Sequence, residues 1–149
     1  MIRERRRSRL CKLPAVLLLV ALPYLPHPAA ADGAIAIGAP ADVSRYGYVY
    51  GYQLNAASKS EASDKALTNC RNAPNASDEA KNLCVVAMTF RNQCVAVAMD
   101  PKVGTPGAGW AIATVRQDAI DQAMANCKAT AGANRRDSCQ LSNAGCDGQ

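Results

Sequence analysis

Two ten-residue stretches of this chain superimpose without a gap: Glu61-Ala-Ser-Asp-Lys-Ala-Leu-Thr-Asn-Cys70 and Asp118-Ala-Ile-Asp-Gln-Ala-Met-Ala-Asn-Cys127. Ala62 matches Ala119, Asp64 matches Asp121, Ala66 matches Ala123, Asn69 matches Asn126 and Cys70 matches Cys127. Two further cysteines follow each copy, Cys84 and Cys94 after the first and Cys139 and Cys146 after the second. An apolar leader recurs as well, as Gly33-Ala-Ile-Ala-Ile-Gly38 and Val95-Ala-Val-Ala-Met-Asp100. Whatever fold the chain adopts must place these matched segments twice. We read a duplicated unit over 33–94 and 95–146. Two copies are too few for a solenoid, so the expectation is one domain of two pseudo-twofold-related halves.

The cysteines tighten this reading once the N-terminus is set aside. Residues 1–31 open on a basic run, continue through Leu13–Leu22, an apolar stretch of about ten residues, and end on Pro28-Ala-Ala-Ala31. That is the pattern of a signal peptide cleaved after about Ala31, and its centre is too short to span a bilayer. The expected location is therefore secreted or periplasmic, with no stable membrane anchor after cleavage. Six basic residues and one acidic residue lie in this leader, so the formal net charge of +5 belongs to it. The remaining 32–149 segment balances to zero. A basic surface for nucleic acid is not expected.

The only histidine, His27, falls in the leader too. The exported chain then lacks the usual partner of catalytic serine or cysteine and a common metal ligand. No catalytic residue, no metal and no cofactor is expected. With one Phe and one Trp, the core must be built from Ala, Val, Ile, Leu and Met. Such a core buries little area per side chain and needs covalent help. Six cysteines in an exported chain read as a disulfide framework. Fifteen pairings are possible. One consistent with the repeat is Cys70–Cys84 and Cys127–Cys139, each tying a helix end to the next strand, with Cys94–Cys146 joining the halves. None of the six stands in Cys-x-x-Cys spacing, which disfavours zinc and thioredoxin-like chemistry.

Along the first half, Ala34–Gly38 reads as a strand and Pro40–Ser44 as a loop. Tyr46-Gly-Tyr-Val-Tyr-Gly-Tyr-Gln-Leu54 has a period of two, which sets Tyr46, Tyr48, Tyr50 and Tyr52 on one strand face. Gly47 and Gly51 leave the other face bare for a helix and turn the tyrosines outward. Ser58 with Glu61 fits a capping box, and Ala62, Ala66, Leu67 and Cys70 form the inner stripe of that helix. Asn72–Asp78 reads as a loop with a turn of helix near Asp78–Asn82, then Leu83–Phe90 as a buried strand and Arg91–Gln93 as a tight turn. In the second half we expect strands at Cys94–Met99, Gly109–Ala113 and Cys139–Leu141. A helix between them is capped by Thr114 with Gln117. Each half is then ββαβ, and the whole is an α+β domain of about six short strands and two main helices, held by disulfides.

Gly33-Ala-Ile-Ala, the two Ala-x-x-x-Ala-x-x-x-Cys segments at 62–70 and 119–127, and Cys84-Val-Val resemble a family of secreted bacterial domains of unknown function, family 4189. The resemblance covers nearly the whole segment after the leader. It implies export and a cysteine-stabilised domain of helices and strands, and it lends no catalytic residues. The Tyr-rich second strand and the short last segment depart from the family pattern.

Tyrosine combines apolar area with a hydroxyl, so an exposed tyrosine stripe would suit a protein or glycan partner outside the cytoplasm. Trp110, beside Gly107 and Gly109, is the other aromatic candidate. Asp64 and Asp121 could act as a carboxylate pair but read more simply as solvated helix positions, and Arg135-Arg136 as a solvated loop. The functional expectation is a non-catalytic macromolecule-binding module. A thiol-redox or carboxylate-based secreted enzyme and a passive cell-envelope component are the alternatives.

Overall fold

The computed structural model describes residues 31–148. The expected leader and its cleavage point therefore lie outside the described residues, apart from Ala31. Among the described residues the chain forms strands β1 (Asp32–Gly38), β2 (Val49–Ala56), β3 (Val85–Phe90), β4 (Cys94–Met99), β5 (Ala108–Ala113) and β6 (Gln140–Cys146). The helices are α1 (Val43–Tyr46), α2 (Lys59–Arg71), α3 (Asp78–Asn82) and α4 (Arg116–Thr130), with one 3-10 turn at Arg136–Ser138. Two antiparallel sheets result, ordered β2-β1-β3 and β5-β4-β6. The first strand of each half is the central one, and the fold is α+β.

Three apolar clusters define four layers. Between α2 and the first sheet lie Ala34, Ala36, Ala62, Ala66, Cys70 and Cys84. Between α4 and the second sheet lie Ala96, Ala98, Ala119, Ala123, Cys127 and Cys139. The larger side chains Ile35, Ile37, Phe90, Val95 and Val97 fill the space between the two sheets. The chain sorts its residues by size because β1 and β4 alternate. Their alanines face a helix that must come close, and their β-branched residues face the opposing sheet.

Glycine sets how close the helices come. A Cβ at Gly51 would lie 2.2 Å from the Cys70 nitrogen and 2.6 Å from the Ala66 carbonyl oxygen. At Gly109 the matching distances are 2.3 Å to Cys127 nitrogen and 2.6 Å to the Ala123 oxygen. No side chain fits at either position. At the adjoining residues, Asn69 Nδ2 donates to the Tyr52 carbonyl and Asn126 Nδ2 to the Trp110 carbonyl, both at 2.9 Å.

Disulfides join Cys70 to Cys84, Cys127 to Cys139 and Cys94 to Cys146. The first two fasten the last turn of α2 and of α4 to the residue before β3 and β6. Cys94–Cys146 does not link the halves as expected. The chain leaves the first sheet at the Arg91–Gln93 turn, so Cys94 is the first residue of β4, paired directly with Cys146 across the second sheet. The sheets are tied instead by Asp147, buried beyond the end of β6. Its carboxylate accepts the Asn55 N–H (2.8 Å) and the Asn92 N–H (3.3 Å), and its own N–H donates to the Gln93 carbonyl (2.8 Å). Both asparagines take positive φ, 55° and 52°, which asparagine tolerates better than most residues.

Several local expectations are corrected. β3 is an edge strand rather than a buried one, with Val85 63% and Met88 48% exposed, because α2 lies mainly over β1 and β2. The last strand runs the full length of Gln140–Cys146. Ser58 does cap α2 by accepting the Glu61 N–H (3.2 Å), whereas Glu61 reaches back to Ala57 N–H (3.0 Å). Thr114 and Gln117 do not cap α4. Val115 holds the cap position without a side-chain bond, and Gln117 Nε2 donates to Asp121 (2.9 Å). Arg135 is not a free loop residue. Its guanidinium pairs with Asp100, whose side chain has no exposed surface, with Nη2 at 2.7 Å from Oδ1.

Candidate functional site

The tyrosines sit where β2 and the second sheet meet. Asp42 caps a single helical turn by accepting the Arg45 N–H (3.0 Å), and Gly47, at φ 82°, ends it. Tyr46 is therefore in α1 and not on the strand stripe, with the Arg45 guanidinium 5.1 Å from its ring centre. The strand begins at Val49. Tyr48, Tyr50 and Tyr52 do share a face, and Gly51 does sit under a helix, but the tyrosines are not turned outward. They are half-buried, packed with Leu54, Met99, Trp110 and Ile112 around the cluster between the sheets. The expected outward face is the one that the second sheet covers.

A cleft of about 650 Å³ opens along this strand, within the range of small-ligand sites. Tyr48, Val49, Tyr50, Gly51 and Tyr52 line it, with Asn69, Ala73, Pro74, Asn75 and Ala76 on one side and Met99 and Ser142 on the other. No charged side chain is among them. The Tyr50 and Tyr52 rings stack with centres 6.5 Å apart and planes 7° off parallel. Tyr50 Oη lies 2.8 Å from Ser142 Oγ, a hydrogen bond from the first sheet to β6.

Tyr48 is the centre of the region. A second depression, along Ser44–Tyr48 and Asp100–Thr105, shares Tyr48, Asn75, Ala76 and Met99 with the first. A third, holding Trp110, shares Tyr48 alone with the first. The structure thus brings Tyr48, Tyr50 and Tyr52 together and places Tyr46 and Trp110 in the neighbouring hollows. Tyr48 Oη is buried and has no hydrogen-bond partner among the described residues. Burial pushes the Tyr48 phenol well above its ordinary pKa, the neighbouring Tyr50 adding to the rise, and burial raises Tyr52 in the same direction. These hydroxyls stay protonated at neutral pH and act as neutral donors and acceptors.

Asn69, Asn75, Met99 and Ser142 escaped the sequence reading as cleft residues. Only the Asn69–Asn126 match signalled one of them. The other candidates disperse. Asp64 and Asp121 are exposed on α2 and α4, which cover opposite outer faces of the paired sheets. All six cysteines of the described residues are in disulfides, a state that suits an oxidising environment outside the cytoplasm. No helix among the described residues is long and apolar enough to cross a membrane.

No curated protein and no solved structure matches the chain. A family model does, over residues 33–146, a span that reaches from β1 to the last residue of β6 and takes in every cleft residue. The chain belongs to the family described as domain of unknown function DUF4189.

Proposed function

We propose that this domain is exported behind the leader at 1–31 and works outside the cytoplasm as a non-catalytic binding module, with the tyrosine-lined cleft as the seat of a macromolecular partner. The observation that carries this reading is the cleft itself: about 650 Å³, uncharged, walled by stacked tyrosines and open along a strand. Such a wall offers large apolar area with little side-chain entropy to lose, and hydroxyls and amides at its edge to fix orientation. The unpartnered Tyr48 hydroxyl adds to it, because a buried polar atom costs free energy until it is bonded.

An enzymatic reading finds less support. A thiol-redox site needs a free thiol or a disulfide open to attack, and the six cysteines of the described residues are paired, five of them buried. A carboxylate pair needs proximity, and Asp64 and Asp121 stand on opposite outer layers. A passive envelope component would have no use for the cleft.

The test is capture of a partner from the extracytoplasmic fraction of the source organism by the disulfide-bonded protein and by a Tyr50→Ala, Tyr52→Ala variant. The reading expects capture to fall at least tenfold with three disulfides and the circular dichroism spectrum retained. Unchanged capture by the double variant overturns it. Tyr48 is avoided, because its hydroxyl is buried, whereas that of Tyr50 is exposed.

A further inference from the structure

The cleft runs along the outer edge of β2, where the Tyr50 main chain is open, whereas on the counterpart strand β5 a side chain bonds the Ala108 main chain. β2 is the terminal strand of its sheet, so alternate residues turn both N–H and C=O away from β1. Tyr52 is one of these by its match to Trp110: Asn69 donates to the Tyr52 carbonyl as Asn126 does to that of Trp110, and two residues before Trp110 both main-chain groups of Ala108 meet Thr130. Tyr50, two residues earlier, turns the same way. β5 is the terminal strand of the other sheet, and Ala108 stands two residues before Trp110 as Tyr50 does before Tyr52. There the edge is plugged. Thr130 Oγ1 accepts the Ala108 N–H at 3.0 Å and lies 2.8 Å from the Ala108 carbonyl. Thr130 is the third residue after Cys127. The third after Cys70 is Ala73, which has no hydroxyl and lies beyond the end of α2. No side chain among the described residues bonds the Tyr50 main chain, and Ala73 lines the cleft in front of it.

The remaining edges are irregular. β3 carries a register shift opposite Ile35–Ala36, and β6 one opposite Val97–Ala98. Bulges of this kind discourage strand addition. β2 carries its own shift at its far end, between Gln53 and Ala56, and its register from Val49 to Gln53 is unbroken. That stretch is about 13 Å long, enough for an added strand of about five residues.

We propose that the partner of the cleft is an extended polypeptide segment that adds to the first sheet as a fourth strand beside β2, its main chain bonding Tyr50 N–H and C=O and Tyr52 N–H. The proposal rests on the cleft reading above and names its ligand class. Main-chain bonds supply register and the alternating side chains supply selection. One face of the added strand meets Tyr48, Tyr50 and Tyr52, and the other meets Asn69 and Ala73. With no charged residue in the lining, the segment is uncharged over these positions. A glycan would use the tyrosine rings and the hydroxyls but would not need a free strand edge.

The probe is a phage-displayed library of random heptapeptides panned against the disulfide-bonded protein. Enriched peptides should be uncharged and rich in β-branched or aromatic residues. In the free protein the Tyr50 amide should exchange with solvent at least tenfold faster than the Ala108 amide. Bound peptide should slow Tyr50 exchange at least tenfold, and N-methylation of the peptide at alternate residues should cost at least tenfold in affinity while the residues between tolerate it. Peptide binding without protection of Tyr50, or N-methyl effects without alternation, overturns the added strand. Chitotetraose and cellotetraose serve as saccharide probes. If either shifts the Tyr50 and Tyr52 ring resonances and no peptide is enriched, the strand proposal falls and the cleft reading stands. If neither peptide nor saccharide perturbs those rings, both fall.

Discussion

The two halves of the molecule share a frame and differ in what they leave on it. In each half a helix lies against a glycine of the second strand, an asparagine ties that helix to the strand edge, and a disulfide closes the helix end. Gly51 and Gly109 anchor the comparison, and reading outward from them sets Tyr50 against Ala108, Tyr52 against Trp110 and Leu54 against Ile112. The second half sets Ala108 and Trp110 at its edge and bonds the Ala108 main chain with a threonine plug. The first half carries the tyrosines, lacks the plug and opens the cleft. Positions that set helix-to-sheet distance have one workable solution, while edge positions are free to vary. The difference between the halves therefore marks the surface available for function.

Breaking the frame should have the largest effect, and a similar one in both halves. Cys70→Ala with Cys84→Ala, and Cys127→Ala with Cys139→Ala, each open a loop of 14 or 12 residues. Each pair of substitutions should cost about 3 kcal/mol in denaturant unfolding on the chain-entropy model. A difference above about 2 kcal/mol between the halves would show that the frames carry unequal load. Next come Gly51→Ala and Gly109→Ala, which push a methyl group into helix backbone. We expect each to cost about 1–3 kcal/mol, and more if the helix cannot shift.

Finer substitutions sharpen the contrast at the edges. Thr130→Ala should cost about 1 kcal/mol and speed exchange of the Ala108 amide until it resembles Tyr50. Slow exchange in that variant would mean the plug is not what protects β5. Tyr50→Phe removes only the bond to Ser142, which is exposed, and should cost about 0.5–1 kcal/mol at most.

The smallest expected effect appears as a pH slope. Arg135 beside Asp100, and Arg91 beside Asp32, hold both carboxyls below their ordinary pKa. A depressed folded-state pKa stabilises the fold above the unfolded value, near 4, and that contribution is lost as pH falls below it. Melting temperature should therefore drop between about pH 4 and pH 2. Asp100→Asn should flatten that limb more than Asp32→Asn does, because the Asp100 side chain is fully enclosed and that of Asp32 is 10% exposed.

Much of the frame is legible in the chain. The gapless match of 61–70 with 118–127 places two helices on equivalent inner stripes, since an Ala-x-x-x-Ala-x-x-x-Cys spacing is one helix face whatever surrounds it. Alternation in β1 and β4 marks them as strands. Less visible were the limits of β3, whose apolar run Val85–Phe90 resembles a central strand. Its exposure follows from its place beside β1 alone, a matter of sheet order. Thr114 and Gln117 had the right spacing to cap α4, but Gln117 bonds Asp121 instead. Local pattern ranks a residue's options, and neighbours in space choose among them.

The candidate site divides in the same way. Period two from Tyr46 to Tyr52 is a local property, and it holds for Tyr48, Tyr50 and Tyr52, while Tyr46 falls in α1. Gly51 under a helix is equally readable, because a bare strand face has few other uses. Which side of the sheet is wet is not local. It depends on a second sheet built from residues forty and more positions away, and that sheet turns an exposed stripe into the wall of a cleft. Asn75, Met99 and Ser142 join it from three separate segments. The sequence by itself determined the periodicities, the small-residue faces and the places of the cysteines, because those follow from spacing along the chain, while their pairing is a matter of which of them the fold brings together. Only the tertiary structure decided which edge is plugged and which is open, because a strand edge is closed by whatever side chain the fold brings to it.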